Sequence, residues 1–250
     1  MTELVTVTDD GAVRVIRMNR PDKKNALTGA MYTAMAEAIN GANTNDTIHC
    51  MVIAGVPGAF SAGNDIAEFA QAAMSGGNLV RPAMPFLYAL ANNKKPLVAA
   101  VQGVAVGVGV TLLLHCDQVI AANDARLTTP FISLGVLPEA ASSLIAPRML
   151  GHQRAFSLLV MGQPLSAQEA KEQGLVNLVV TPEELDAAAM KVARTIAALP
   201  PQGVAIARRL MRGSPDELIA RIDEEAKLFG ERLSSPEARA AFQAFMTRKK

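Results

Sequence analysis

One carboxylate stands out as a candidate for chemistry. Glu139 is the only charged side chain between Leu127 and Pro147, in the run TTPFISLGVLPEAASSLIAP, where its neighbours are small or apolar. A carboxylate in such surroundings loses water, so its proton affinity rises toward the neutral range, where a general base can take a proton and return it. No cation lies near it in sequence, between Arg126 and Arg148, to hold it ionised. The plainer reading is structural: Pro138 and Glu139 would suit the first two positions of a helix, where proline and an acid are both favourable.

Two glycine-bearing stretches offer backbone rather than side-chain chemistry. In PGAFSAGNDIAEF, residues 57–69, Gly63 permits an unusual backbone that would turn the amide N–H of Asn64 outward, toward an anionic oxygen. The plainer reading is a strand-to-helix loop with Asp65 as the helix cap. In VQGVAVGVGVTLLL, residues 101–114, Gly107 and Gly109 flank Val108 where a strand should become a helix. The third glycine and downstream acid of a dinucleotide fingerprint are missing, and so is the G-K-[ST] of a phosphate loop. What remains is the Val108 N–H at a helix N-terminus, where the dipole favours negative charge.

The elements that must position these groups follow from periodicity. Short apolar runs at Val13 to Met18, Cys50 to Ala54, Leu97 to Val101, Val119 to Ala122 and Val176 to Val180 alternate with helical segments, which predicts an α/β layer or spiral. Thr28 opens one helix, and Ser166 with Glu169 makes a capping box for another that Gly174 ends. Gln71 to Pro96 reads as irregular around one short helix, MPFLYALANN. From Leu199 the chain is helical and charged, with Ser214-Pro215 and Ser235-Pro236 as cap pairs. The expected organisation is a core over residues 1–198 and a helical subdomain over 199–250.

Composition excludes several function classes. Twenty-four basic and twenty-three acidic residues leave a net charge of +1, with no basic block beyond Lys249 and Lys250, so neither nucleic acid nor an acidic membrane is an expected partner. Cys50 and Cys116 read as core thiols in a reducing cytoplasm. His49, His115 and His152 are scattered, and no metal site is expected. The apolar stretch PLVAAVQGVAVGVGVTLLLHCD is broken by Gln102 and by glycines, which suits strand, turn and buried helix better than a membrane span. The N-terminus lacks the pattern of a signal peptide.

Taken together, VIRMNRPDKKNALT, AFSAGNDIAEF, NNKKPLVAAVQGVAVGVGVTLLLHCDQVIAA and LSAQEAKEQGLVNLVV resemble the crotonase, or enoyl-CoA hydratase/isomerase, superfamily over nearly the whole chain. The resemblance implies a crotonase-like spiral of ββα units with a C-terminal helical subdomain. It also implies an acyl-CoA thioester substrate, with coenzyme A as part of that substrate and no separate cofactor. By the same resemblance the N–H groups of Asn64 and Val108 form an oxyanion hole, with Ala62, Gly63, Asp65, Ile66 and Gly107 around it. Lys23, Lys24 and Ala26 become candidates for holding the CoA moiety, and a homotrimer or dimer of trimers is expected.

The chain departs from the family's hydratases, whose two glutamates align with Thr111 and Phe131. The segment S-L-G-V-L-P-E instead resembles the peroxisomal-type 3,2-trans-enoyl-CoA isomerases, whose catalytic glutamate aligns with Glu139. The implied activity is isomerisation of a 3-enoyl-CoA to the trans-2-enoyl-CoA. Hydration or other thioester-enolate chemistry is one alternative, and a non-catalytic acyl-CoA-binding module is another.

Overall fold

The computed structural model describes residues 3–66, 68 and 82–248. Part of the expected irregular segment, residues 71–81, lies outside them. The rest of the chain is organised by two sheets that run side by side. Strand β1 (Val5–Asp10) pairs antiparallel with β2 (Val13–Met18), and β3 (Cys50–Ala54), β5 (Leu97–Val101), β7 (Gln118–Ala122) and β10 (Leu178–Val180) continue the sheet in parallel. The second sheet holds β4 (Ala59–Ser61), β6 (Val104–Val106), β8 (Arg126–Thr128) and β9 (Leu165–Ser166). Each of β3, β5 and β7 is followed within a few residues by a short strand of the second sheet, so every turn of the chain adds one strand to each stack. This is the ββα spiral.

A parallel sheet must be covered on both faces, and the side-chain alternation along these strands does it. Cys50, Val52 and Ala54 face one way, with Val98, Ala100, Ile120 and Ala122, against Leu185, Ala189 and Ala193 of helix α7 (Leu185–Ala197). Met51, Ile53, Leu97, Ala99 and Val101 face the larger core. There they meet helix α1 (Gly29–Thr44) and helix α2 (Met84–Ala91), the latter falling where MPFLYALANN predicts it. Cys50 is fully buried, as expected of a core thiol, and burial pushes it up to about 12.

Local signals set the helix starts. The Thr28 hydroxyl caps α1 by accepting from Met31 N at 3.3 Å. Helix α3 (Val108–Thr111) begins straight after β6 and tightens into a 3-10 turn over Leu112–His115. Helices α4 (Ser142–Leu150) and α5 (His152–Leu159) then lead to α6 (Ala167–Glu172), which carries the Ser166–Glu169 capping box. The strand expected from Val176 is shorter, because Leu175 N and Val176 N both bond to the Ala170 carbonyl and close the end of α6. A second difference concerns Glu139. Helix α4 does not start until Ser142, so the first-turn position expected for Pro138 and Glu139 is not what they occupy.

The tail forms α8 (Pro201–Arg212), α9 (Pro215–Leu233) and α10 (Pro236–Arg248). Leu218, Ile222, Phe229 and Leu233 of α9 enter the main core. Arg208 of α8 is 7% exposed, lies 2.8 Å from the Asp117 carboxylate and donates to the Asn93 carbonyl at 2.5 Å. Among the described residues no helix is long and apolar enough to cross a membrane.

Arg208 is buried but a quarter of the Asp117 side chain is exposed, so removing the arginine costs less than the roughly 3 kcal/mol lost when a fully buried pair is broken, yet still destabilises the packing. Arg208→Met is therefore expected to lower the denaturation midpoint of the whole chain in a single transition followed by circular dichroism. A separate early transition for the tail, with the core unaffected, would contradict this packing.

Candidate active site

Glu139 sits on a turn between the second sheet and α4. Two successive alanines after it have positive φ, Ala140 at 61° and Ala141 at 55°, and left-handed backbone costs an alanine roughly 1–2 kcal/mol. The turn persists because its polar groups are held from two sides. His115 Nε2 donates to the Ala140 carbonyl at 2.7 Å, and burial pushes the imidazole down to about 4, so it stays neutral with its proton on Nε2. From α9, the Glu225 carboxylate accepts from Ala141 N at 2.6 Å and from Ser143 N at 3.0 Å.

The carboxyl of Glu139 has few polar neighbours. Burial pushes it up to about 8, the Thr111 hydroxyl pulls against that, and the charge of Glu225 adds to it. Thr111 Oγ1 donates to Glu139 Oε1 at 2.5 Å. Thr111, one of the two positions expected to align with the hydratase acids, thus steadies Glu139. The other position, Phe131, is 6% exposed, and its ring edge lies 3.8 Å from where a side chain on Gly107 would begin. It forms an apolar wall.

The two amides expected to face an anionic oxygen lie on loops that touch. Gly63, with φ of 83°, comes so close to the Val106 carbonyl that an added Cβ would stand 2.9 Å from its oxygen. Only glycine fits there. Asn64 forms a parallel bridge with Leu27, in which Leu27 N donates to Gly63 O at 2.7 Å and Asp65 N to Leu27 O at 3.0 Å. A parallel bridge uses the groups flanking the bridging residue, which leaves the N–H of Asn64 itself pointing to the other edge. Val108 is the first residue of α3, where N–H groups have no partner within the helix, and Gly107 before it turns the chain with φ of 55°.

The remaining residues named from the sequence are held against this loop. Ala62 N donates to the Lys24 carbonyl at 2.8 Å, and the Asn25 side chain, fully buried, donates to the carbonyls of Ala59 and Phe60 at 3.0 and 3.1 Å. Lys23 and Lys24 are exposed on the same turn, with Ala26 half-buried beside them. Asp65 accepts from Glu68 N at 3.4 Å, as a cap would, and its carboxylate also accepts from Arg20 at 2.5 Å, with Arg20 donating in turn to the Ala26 carbonyl. Ile66 follows as the first helical residue, half-buried.

Sequence reasoning missed three groups. Tyr32 of α1, 3% exposed, donates to Asn64 Oδ1, and burial together with the charges of Glu139 and Glu68 pushes its phenol up. It is one of two tyrosines in the chain, on the buried face of an amphipathic helix, a pattern that signals only packing. His115 and Glu225 also act at the turn, and neither lies in a recognisable motif.

With this geometry in place, comparison with known proteins is informative. The chain matches the family described as enoyl-CoA hydratase/isomerase over residues 8–250. It is 37% identical to enoyl-CoA delta isomerase 2 of Rattus norvegicus over 253 residues, covering 98% of this chain and 64% of that protein's length. It is 31% identical to a probable enoyl-CoA hydratase of Rhizobium meliloti, covering 99% and 96% of the two chains. Among solved structures, Pseudomonas aeruginosa OdaA superimposes with a TM-score of 0.91 at 42% identity, over 98% of this chain and 99% of that one. The relatives therefore carry more than one reaction name.

An acid whose affinity for a proton is higher folded than unfolded destabilises the fold once it must ionise. The Glu139 contribution is thus intact below its ordinary value of 4.5 and is lost as pH rises through about 8. Glu139→Gln is expected to match the parent in thermal midpoint near pH 4.5 and to exceed it increasingly up to pH 9. Equal midpoints throughout would mean that the carboxyl is hydrated.

Proposed function

Because the chain belongs to the enoyl-CoA hydratase/isomerase family, a family of acyl-CoA enzymes, we propose that it converts a 3-enoyl-CoA to the trans-2-enoyl-CoA with Glu139 as the proton carrier. The observation that carries this reading is the site's acid complement. Glu139 is a carboxyl raised to about 8, and the two aligned hydratase positions hold Thr111 and Phe131.

In this mechanism the ionised Glu139 removes a proton from the carbon alpha to the thioester. The electron pair forms a C1=C2 double bond as the carbonyl pair moves onto the thioester oxygen, and conjugation with the 3,4 double bond makes this a dienolate. The N–H groups of Asn64 and Val108 hold the oxygen while it carries negative charge. Glu139 then returns the proton to the gamma carbon, the double bond settles between C2 and C3, and the thioester carbonyl reforms. One carboxyl suffices because both carbons belong to one allylic system. Donors aimed at an oxygen that becomes charged only along the path stabilise the transition state selectively.

A proton affinity raised toward neutral pH suits this double duty, since a strong base would hold the proton and a weak one would not take it. A pure acyl-CoA binder would have no use for an acid held at this cost in stability. Water addition has the name of a relative in its favour, but its usual pair of acids is lacking. Lys23, Lys24 and Ala26 fit the role of holding CoA, since their turn is bonded to the loop that carries Ala62, Gly63 and Ile66. The helices after residue 199 fit the role of an association surface for a homotrimer or dimer of trimers. Ile206, Leu210 and Met211 of α8 are 54%, 70% and 85% exposed.

The test is turnover of 3-hexenoyl-CoA, with crotonyl-CoA hydration measured beside it. The parent is expected to isomerise and hardly to hydrate, with kcat/KM rising with pH through about 8 as Glu139 ionises. Loss of the proton carrier in Glu139→Gln should lower kcat by about 10²–10⁴-fold. Val108→Pro, which deletes one oxyanion donor, should lower it by about 10²–10³-fold. Full activity in a folded Glu139→Gln would end the assignment.

A further inference from the structure

We propose that Glu225, on the tail helix α9, is a positioning residue that holds the Glu139 carboxyl at the point of proton transfer. The inference deepens the reading of Glu139 as proton carrier and rests on it.

Helix α4 begins without a cap of its own. Its flanking residue is Ala141, in left-handed conformation, and an alanine side chain cannot accept a hydrogen bond. The N–H groups at a helix start need partners, and here a distant element supplies them. Glu225 accepts from Ala141 N at 2.6 Å, from Ser143 N at 3.0 Å and from Ser143 Oγ at 2.5 Å. One carboxylate thus fixes both ends of the short link between the left-handed pair and the helix. The opposite side of the same link is fixed by neutral His115 at the Ala140 carbonyl. Glu139 is next to that carbonyl in the chain, so its direction follows from these two anchors.

Glu225 is 6% exposed, and a buried carboxylate is a costly means of capping a helix, while the left-handed backbone at residue 141 does not suit a local side-chain cap. Its negative charge has a second consequence, because it disfavours ionisation of Glu139. Among the described residues, Glu139 interacts with the Thr111 hydroxyl from α3, the Tyr32 phenol from α1 and, from α9, the charge of Glu225 with Arg221 behind it, while His115 holds the neighbouring Ala140 carbonyl. Arg221 Nη1 donates to Ser143 Oγ at 3.2 Å, and its cation draws the Glu225 carboxyl toward the ionised form.

The experiment follows the Glu139 carboxyl by ¹³C NMR titration in the ligand-free protein, identified by its disappearance in Glu139→Gln, together with kcat and KM for 3-hexenoyl-CoA. In Glu225→Gln the Glu139 midpoint is expected to move to lower pH, since a negative neighbour is gone. At the same time kcat should fall about tenfold with KM within about twofold, as for other supporting residues of a site. Glu225→Asp keeps the charge but shortens the reach, so the midpoint should stay near the parent's while kcat still falls. A residue that merely tied the tail to the core would lower the thermal midpoint and leave the Glu139 titration in place, and that result would overturn the proposal.

If Glu225→Gln does not fold, Arg221→Gln acts in the same direction from outside the contact. Loss of the cation that draws Glu225 toward its ionised form is expected to weaken the negative neighbour and lower the Glu139 midpoint, and an unmoved midpoint there would equally overturn the proposal. The titration needs no turnover. A shifted midpoint in a chain that does not isomerise would sink the reaction proposed above and leave Glu225 in its role. Isomerisation lost in Glu139→Gln but intact in Glu225→Gln, with the midpoint fixed, would do the reverse.

Discussion

Desolvation of the Glu139 carboxyl is the constraint around which the site is arranged. In these surroundings, with the Thr111 hydroxyl as its side-chain donor among the described residues, burial pushes the carboxyl up to about 8. A carboxyl in that state can serve as acid and base in one cycle, whereas a solvated one would stay ionised. The same burial explains why so much nearby structure is spent on holding the turn. A group that gains stability by escaping to water must be restrained, and the left-handed pair Ala140 and Ala141 is restrained by His115 and Glu225.

The proposed reaction also needs donors for a developing negative charge. The ββα spiral brings two chain reversals together, at Gly63 after β4 and at Gly107 after β6, in adjacent parallel strands of the second sheet. Both reversals release a backbone N–H rather than a side chain. Such donors move little, so they need no reorganisation when charge develops. Tyr32 adds to this rigidity by fixing the Asn64 side chain from α1. Val108 and Thr111 share the short helix α3, so that helix ties one of these N–H groups to the Glu139 carboxyl through the Thr111 hydroxyl.

How much of this could be read from the sequence depended on how local the cause was. The parallel strands followed from short apolar runs, and the starts of α1 and α6 from Thr28 and the Ser166–Glu169 box, because each signal lies within a few residues of its effect. Gly63 and Gly107 were legible for the same reason. The turn at Glu139 was not. Ala140 and Ala141 carry no turn signal, and their conformation is imposed by His115 and by Glu225, the latter 84 positions from Ala141. Thr111 read as the loss of an acid, and only the fold shows it donating to the acid that remains. The tail reads as a helical subdomain whose amphipathic segments could pack on the core or on another subunit; apolar residues of α9 enter the main core, a fact set by tertiary packing rather than by periodicity.

In the proposed reaction the Glu139 carboxyl carries a proton from the alpha to the gamma carbon. This is tested most directly by giving the enzyme 3-hexenoyl-CoA deuterated at C2 in ordinary water and locating the label in the trans-2-enoyl-CoA by mass spectrometry and NMR. Deuterium found at C4 in part of the product, and in none formed by Glu139→Gln, is the expected result. Product formed at the normal rate with the one hydrogen added at C4 taken wholly from solvent, in the parent as in Glu139→Gln, would contradict it, and would hand the return of the proton to water.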